Sequence, residues 1–407
     1  MSFNFRSLSV LWTCLILIFP SVLGAVLHTS GRWILDSNDE RVKLRCINWA
    51  GHMETKIPEG LQHQPVSTIA EWIASAGFNC VRLTYSIDMA MNPNETVSDS
   101  FAGAAEAAGV PASDMQALYD SAVEKNSFLS SASTRSTFAA VIDALAEVDV
   151  LVILDNHNSH ASWCCGMDDG NGWWESASGY EEANSRYFIT EDWLAGLGSM
   201  ASFSADHPNV VGMSLRNELR AAGSQDQDNH ADWYDLCGQG ANAIHSANGD
   251  LLIAVGGVSY ATDFSFLGSQ PFDRSSYPDK VVWEFHSYSW STDTSDCSAY
   301  QSTMGNSAGY LLTQGEEYTG PLWLSEFGYA VENPTAEEIG YINCLVSYME
   351  DNDAEWAYWA LQGSYYVRDA TINLDESFGV LNSDWSDWRN SSFAGQLGQI
   401  WEVTQGP

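Results

Sequence analysis

The chain has 407 residues, with 53 acidic against 16 basic side chains and a formal charge of −37. Such a surface repels phosphate backbones and anionic lipid heads, which argues against nucleic acid and membranes as partners and leaves a neutral substrate. Apolar residues at 45% and aromatic residues at 12% argue against disorder, and the length suits one large barrel or two ordinary domains.

The N-terminus reads as a secretory signal over residues 1–24. Arg6 supplies the positive region, Val10 to Phe19 the apolar region, and Val22-Leu23-Gly24 the small residues of a cleavage site. The apolar run is shorter than the roughly 18 residues a bilayer demands, and no later segment approaches that length. The expectation is a secreted, extracellular protein. Cys14 leaves with the signal, and an odd set remains: Cys46, Cys80, Cys164, Cys165, Cys237, Cys297 and Cys344. An oxidising compartment pairs most of these and leaves one over. Cys46 and Cys80 lie inside apolar runs, and either is a candidate for the buried free thiol. Asn94-Glu-Thr96 and Asn390-Ser-Ser392 are glycosylation sequons that agree with export.

Short apolar runs then recur along the chain. Candidate strands begin near Leu44, Cys80, Asp149, Asn209, Leu251, Val281, Pro321 and Glu355, with helical patterns between them. After the first, Thr68 and Glu71 read as a capping box before Trp72 and Ile73, with Gly77 as the stop. After the second, Met89 to Ser133 is rich in small residues and is expected to cover the mouth of the fold. Phe138, Val141, Ile142 and Leu145 then repeat at helical spacing. His157 to Tyr187 reads as a long loop. Thr335 and Glu338 cap a helix carrying Ile339, Ile342, Val346 and Met349. Strands alternating with helices, and apolar on both faces, specify parallel βαβ units. Eight units predict a closed (β/α)8 barrel, one domain over residues 25–407, with long insertions after strands two and three. An open doubly wound sheet is the alternative. Its dinucleotide-binding form wants a glycine-rich phosphate loop after the first strand, and Asn48-Trp49-Ala50-Gly51-His52 offers none.

In such a barrel the reactive groups stand at the C-terminal strand ends. Those positions hold Asn48 and Trp49, Arg82, His157, Asn217 and Glu218, His286 and Tyr288, Glu326, and Trp359. Glu218 and Glu326 each close an apolar run, where a carboxylate is costly unless solvated, paired or used. Two such acids facing each other are the working parts of glycosidic bond hydrolysis.

The ordered set Arg82, His157, Asn217-Glu218, His286-Ser-Tyr288, Glu326 and Trp359 resembles glycoside hydrolase family 5, the retaining β-glycosidases that include many cellulases and mannanases. The segment from Trp163-Cys-Cys to Trp173-Trp174, followed by Leu215-Arg-Asn-Glu-Leu-Arg220, looks like a secreted eukaryotic subgroup of it. The resemblance spans nearly the whole mature chain and implies that Glu218 is the acid/base and Glu326 the nucleophile. It departs from the family pattern where Leu219 stands in place of a common proline, and where Cys46 follows Arg45 in place of a common glycine. Chemistry suggests the remaining roles. Arg82 and Tyr288 would hold Glu326 charged. Asn217 would grip a sugar 2-OH. His157 and His286 would orient carboxylates and hydroxyls, and Trp359 would offer a flat apolar face. Of Trp49, Trp163, Trp173, Trp174, Trp290, Tyr365, Tyr366 and Trp385, about half are expected to line a sugar cleft.

No cofactor and no metal is expected. His157, His160, Cys164 and Cys165 are close in sequence, but adjacent cysteines suit one zinc poorly and export favours disulfides. Asp168-Asp-Gly-Asn lacks the spacing of a calcium loop. Gly305-Asn-Ser307-Ala-Gly309 matches a nucleophile elbow without the buried strand the elbow needs. The partner expected is a β-linked polysaccharide or oligosaccharide bound by a monomer. The activity expected is that of an endo-β-1,4-glucanase or a β-mannanase. An exo-acting enzyme, or a carbohydrate-binding wall protein that has lost catalysis, is the alternative.

Overall fold

Eight parallel strands close on themselves in the computed structural model, which describes residues 26–291 and 296–407. The secretory signal expected over residues 1–24 lies outside the described residues. The strands are β1 (Arg45–Trp49), β2 (Cys80–Ser86), β3 (Leu151–Asn158), β4 (Val210–Ser214), β5 (Leu252–Gly256), β6 (Val281–His286), β7 (Leu322–Phe327) and β8 (Glu355–Tyr358). Each pairs with the next, and β8 returns to β1 through Trp356↔Arg45 and Tyr358↔Ile47. All eight expected strands are present, and closure excludes the open sheet. Of the strand residues only Arg45 is not fully buried, which is why the runs read as continuous rather than alternating.

Successive side chains on a strand point to opposite faces, so residues two apart share one. Inside the barrel this gives two layers. The lower is apolar: Leu44, Cys46, Cys80, Leu151, Ile153, Val211, Leu252, Ala254, Val282, Trp323 and Ala357 form one cluster. A hairpin of His28–Ser30 with Trp33–Leu35 joins the same cluster through Ile34 and its neighbour Leu27. One step up, four strands turn polar, as Cys46 gives way to Asn48, Cys80 to Arg82, Ile153 to Asp155 and Val282 to Glu284.

Register also settles the cysteines. Cys46 and Cys80 are direct partners across β1 and β2, with Cα atoms 4.2 Å apart, and they form a disulfide. Neither of these two candidates is therefore the free thiol. Cys297 bonds Cys344, Cys164 bonds its neighbour Cys165, and Cys237 is the free, buried cysteine among the described residues.

The helices pack outside the strands. Thr335 and Glu338 make the expected capping box. The Thr68 box does not form: the helix runs Val66–Ser75 from Pro65, which makes no side-chain cap bond. Asn126, sixty positions on, supplies the acceptor instead, its Oδ1 receiving the Val66 N–H at 2.8 Å. Gly77, at φ +94°, follows the helix end as expected. The small-residue stretch after β2 folds into helices Val97–Ala108 and Ala112–Lys125. None of its residues lines the cavity at the strand ends; it packs on the loops after β1 and β8, where Phe101 meets Tyr366 and Ser100 bonds the Thr55 carbonyl.

Candidate active site

Glu326 closes β7, buried to 5% exposure. Arg82 Nη1 donates to its Oε1 at 2.7 Å and the Tyr288 hydroxyl donates to its Oε2 at 3.0 Å. Two residues on, a side chain at Gly328 would strike the Trp359 carbonyl, so only glycine lets β7 and β8 approach there. Glu218 stands just past β4 with φ at +46°, a left-handed conformation that a glutamate rarely adopts and that is often held at functional sites. Arg220 Nη1 holds its backbone carbonyl at 2.8 Å. His286 Nδ1 reaches Glu218 Oε1 at 3.0 Å and Glu326 Oε2 at 3.7 Å. An oxygen of Glu218, an oxygen of Glu326 and a ring nitrogen of His286 all lie within 4.8 Å of one another.

Beneath them Arg82 is fully buried. Its Nη2 meets Asp155, Glu284 and Asn217, each at 2.9 Å, and its Nη1 also meets Asn48 Oδ1 at 2.9 Å. Burial works against its charge, but Asp155, Glu284 and Glu326 outweigh that and fix it as a cation. Burial likewise opposes charging of His286, yet Glu326, Glu218 and Glu284 push it up to about 10. Burial raises Glu326, and His286 and Arg82 pull against that rise. Burial, then Arg82 and His286, drive His157 well below its usual value. His157 is therefore neutral, with Nδ1–H donating to Asp155 Oδ2 at 2.7 Å and Nε2 accepting from Asn217 Nδ2 at 3.3 Å. Burial pushes Asp155 up to about 7, against the pull of Arg82.

Above this floor opens a cavity of about 890 Å³, lined among others by Trp163, Glu218, Tyr260, Tyr288, Trp290, Glu326 and Trp359. Trp359 stacks on His157 with centroids 5.4 Å apart. Tyr288 stacks on Trp290, which is 67% exposed at the rim. Of the eight loop aromatics singled out in the sequence, Trp163 and Trp290 line the cavity. Trp49, Trp173, Trp174, Tyr365, Tyr366 and Trp385 are buried packing residues. Sequence reasoning missed Asp155 and Glu284, although each sits two residues before a site histidine and so shares its inward face. It also missed Arg368, which lies 3.3 Å over the Trp163 ring and pairs with Glu376.

The remaining motifs fall into place. Asp169 receives a two-pronged contact from Arg220. Cys164 and Cys165 are bonded to each other and offer no thiolate to zinc. Ser307 ends a helix, Cys297–Ser307, and follows no buried strand.

A (β/α)8 barrel with two carboxylates facing each other at its strand ends has the architecture of a glycoside hydrolase. The chain belongs to glycosyl hydrolase family 5, whose profile, described as cellulase, matches residues 35–364. A glycosyl hydrolase 5 family protein of Chamaecyparis obtusa is 38% identical over 399 residues, covering 94% of this chain and 67% of that protein. An endoglucanase of Paenibacillus polymyxa is 23% identical, covering 92% of this chain and 86% of its own. Among solved structures, the endocellulase of Pyrococcus horikoshii superposes with a TM-score of 0.72 at 16% identity, covering 94% of this chain and all of that one. The catalytic domain of the major endoglucanase of Xanthomonas campestris gives 0.71 at 20%, covering 92% and 99%. At these identities the structural matches carry the barrel fold.

Proposed function

We propose that the protein is a secreted, monomeric endo-β-1,4-glucanase that acts with retention of configuration through one catalytic domain, residues 25–407. The observation that carries this reading is the Glu218–His286–Glu326 cluster within 4.8 Å, compatible with the carboxyl spacing of about 5–5.5 Å that covalent catalysis uses. Glu326, cradled by Arg82 and Tyr288, attacks the anomeric carbon. The bond to the leaving oxygen breaks, its electron pair stays on that oxygen, and Glu218 delivers the proton. Water then gives a proton to Glu218 and attacks the same carbon, which frees Glu326 and restores the starting configuration. His286 holds Glu218 in place between these steps. Asn217 faces the 2-OH, and Trp359 lies under the ring.

The choice of a β-1,4-glucan rests on the endoglucanases of Paenibacillus and Xanthomonas among the relatives. Secretion is supported by the N-terminal signal and three disulfides. Among the described residues no helix is long and apolar enough to cross a membrane. The assay that tests the proposal sets wild type and Glu326→Ala against β-1,4-glucans, mannans and aryl glycosides. Wild type is expected to cut glucan chains internally, and the variant to lose at least about 10⁴-fold in kcat. Predominant release of mannose oligomers or single terminal sugars would move the assignment to a mannanase or an exo-enzyme. Glucan cleavage untouched by the substitution would remove Glu326 from its role.

A further inference from the structure

The three residues Trp163, Cys164 and Cys165 run along one wall of the cavity, from Trp359 to Glu218. At one end Trp163 meets Trp359 edge-on, centroids 6.2 Å apart, and Arg368 covers its ring. At the other end, one sulfur of each cysteine and a Glu218 carboxylate oxygen lie within 4.8 Å of one another. Both cysteines line the cavity, and Asn217 Nδ2 donates to each sulfur at 3.4 Å. The wall is anchored by the guanidinium that also holds Glu218. Arg220 donates through Nε to the Gly166 carbonyl at 2.9 Å and through Nη1 to the Glu218 carbonyl at 2.8 Å, and its Nη2 grips Asp169. Asp169 in turn accepts the Gly166 N–H at 3.0 Å.

Two free thiols here would place weak S–H donors and ionisable sulfur beside the acid that must deliver a proton. The bridged pair has neither. It presents a polarizable, apolar surface with no donor, of fixed shape because its ends are tied by Arg220 and by Trp163. Such a surface matches the C–H face of a pyranose and not its hydroxyl edge. We infer that the Cys164–Cys165 disulfide is a substrate-contacting element of the cleft, against which the sugar beside Glu218 packs. The inference rests on the glycanase reading above and names a specificity-determining part of that site. Cys46–Cys80 and Cys297–Cys344 do not line the cavity, so this role falls to one bridge of the three.

The test compares the full-length protein with a Cys164→Ser/Cys165→Ser variant and a Cys164→Val/Cys165→Val variant on cellopentaose. KM and kcat are separated and the product ratio is read. Losing about 50 Å² of apolar contact corresponds to roughly a tenfold weakening. The serine variant is expected to show about that rise in KM, with the larger share of the loss in KM rather than kcat, and an altered product ratio. The valine variant is expected to recover most of it. KM and products unchanged by serine, or valine no better than serine, would overturn the inference and leave the bridge a loop staple. If the serine variant does not fold, wild type reduced at these two sulfurs under native conditions, with the site mapped by alkylation and mass spectrometry, gives the same reading. Loss of fold on that reduction also overturns it. Wild type inert on every β-glucan would instead defeat the proposed function.

Discussion

Tyr288 acts on the charge of Glu326 through one hydrogen bond of 3.0 Å. A donor to the ionised form favours that form, so removing it raises the carboxyl's pKa. Tyr288→Phe is therefore expected to lower kcat/KM by about 10–100-fold, the worth of one hydrogen bond to a charged group. The acid limb of the pH–rate profile should move to higher pH, because Glu326 then needs a higher pH to ionise. An acid limb that stays put would show that Arg82 and His286 alone set its charge. At this scale the sequence was legible where a polar residue ended an apolar run. Arg82, Glu218, His286, Tyr288, Glu326 and Trp359 all reach the cluster or its walls. Trp173, Trp174 and Tyr366 misled because a loop aromatic reads the same whether it packs under the loop or faces the cavity. Leu219, where a proline is common, is buried and accepts the Tyr260 N–H, so it fixes backbone rather than touching the reacting groups.

On β6, the same strand face carries Val282, Glu284 and His286, and the middle one ties the site to the barrel. Burial opposes ionisation of Glu284, yet Arg82 and His286 hold its carboxyl down to about 2. An acid whose folded value lies below its unfolded value of about 4.3 stabilises the fold above that pH and loses the contribution as pH falls toward 2. Glu284→Gln is expected to cost about 3 kcal/mol in denaturant unfolding at pH 7, since it strips a partner from a buried cation. The gap to wild type should narrow as pH falls through 4 toward 2. A gap of constant size would mean that Glu284 contributes by shape and not by charge. Elements were legible where the pattern was local. Every strand was recoverable because both of its faces are buried, and Thr335 caps its own helix. The start of the Val66 helix was not, because its cap acceptor, Asn126, arrives from sixty residues away. The Cys46–Cys80 bridge was hidden because it depends on strand register, which apolar runs do not specify.

Across the molecule, stability and chemistry sit at opposite ends of the barrel. Below the apolar layer, Asp353 binds Lys43 through Oδ1 and Arg41 through Oδ2, each at 2.5 Å. Its Oδ2 also accepts the Thr404 and Gln405 N–H groups, which ties the C-terminal residues to the barrel floor. Asp353→Ala leaves two buried cations short of a partner and is expected to cost about 3–5 kcal/mol. Activity per folded molecule should not change, because the site lies at the other strand ends. A fall in kcat/KM on fully folded protein would show that the two ends are coupled. The closed barrel was legible from eight repeats of one pattern. The way its loops shape the cavity was not, since Arg368, paired with Glu376, meets Trp163 only after the chain has returned across the mouth.

In the proposed mechanism Glu326 forms a covalent bond to the sugar while Glu218 handles the proton. Incubation with an activated 2-deoxy-2-fluoro β-cellobioside slows the second step and lets that adduct build up, and peptide mass mapping reads where it sits. One sugar is expected on Glu326, and none in Glu326→Ala. A label on Glu218 or on another residue, or an unlabelled enzyme whose first product has inverted configuration, would take the nucleophile's role from Glu326.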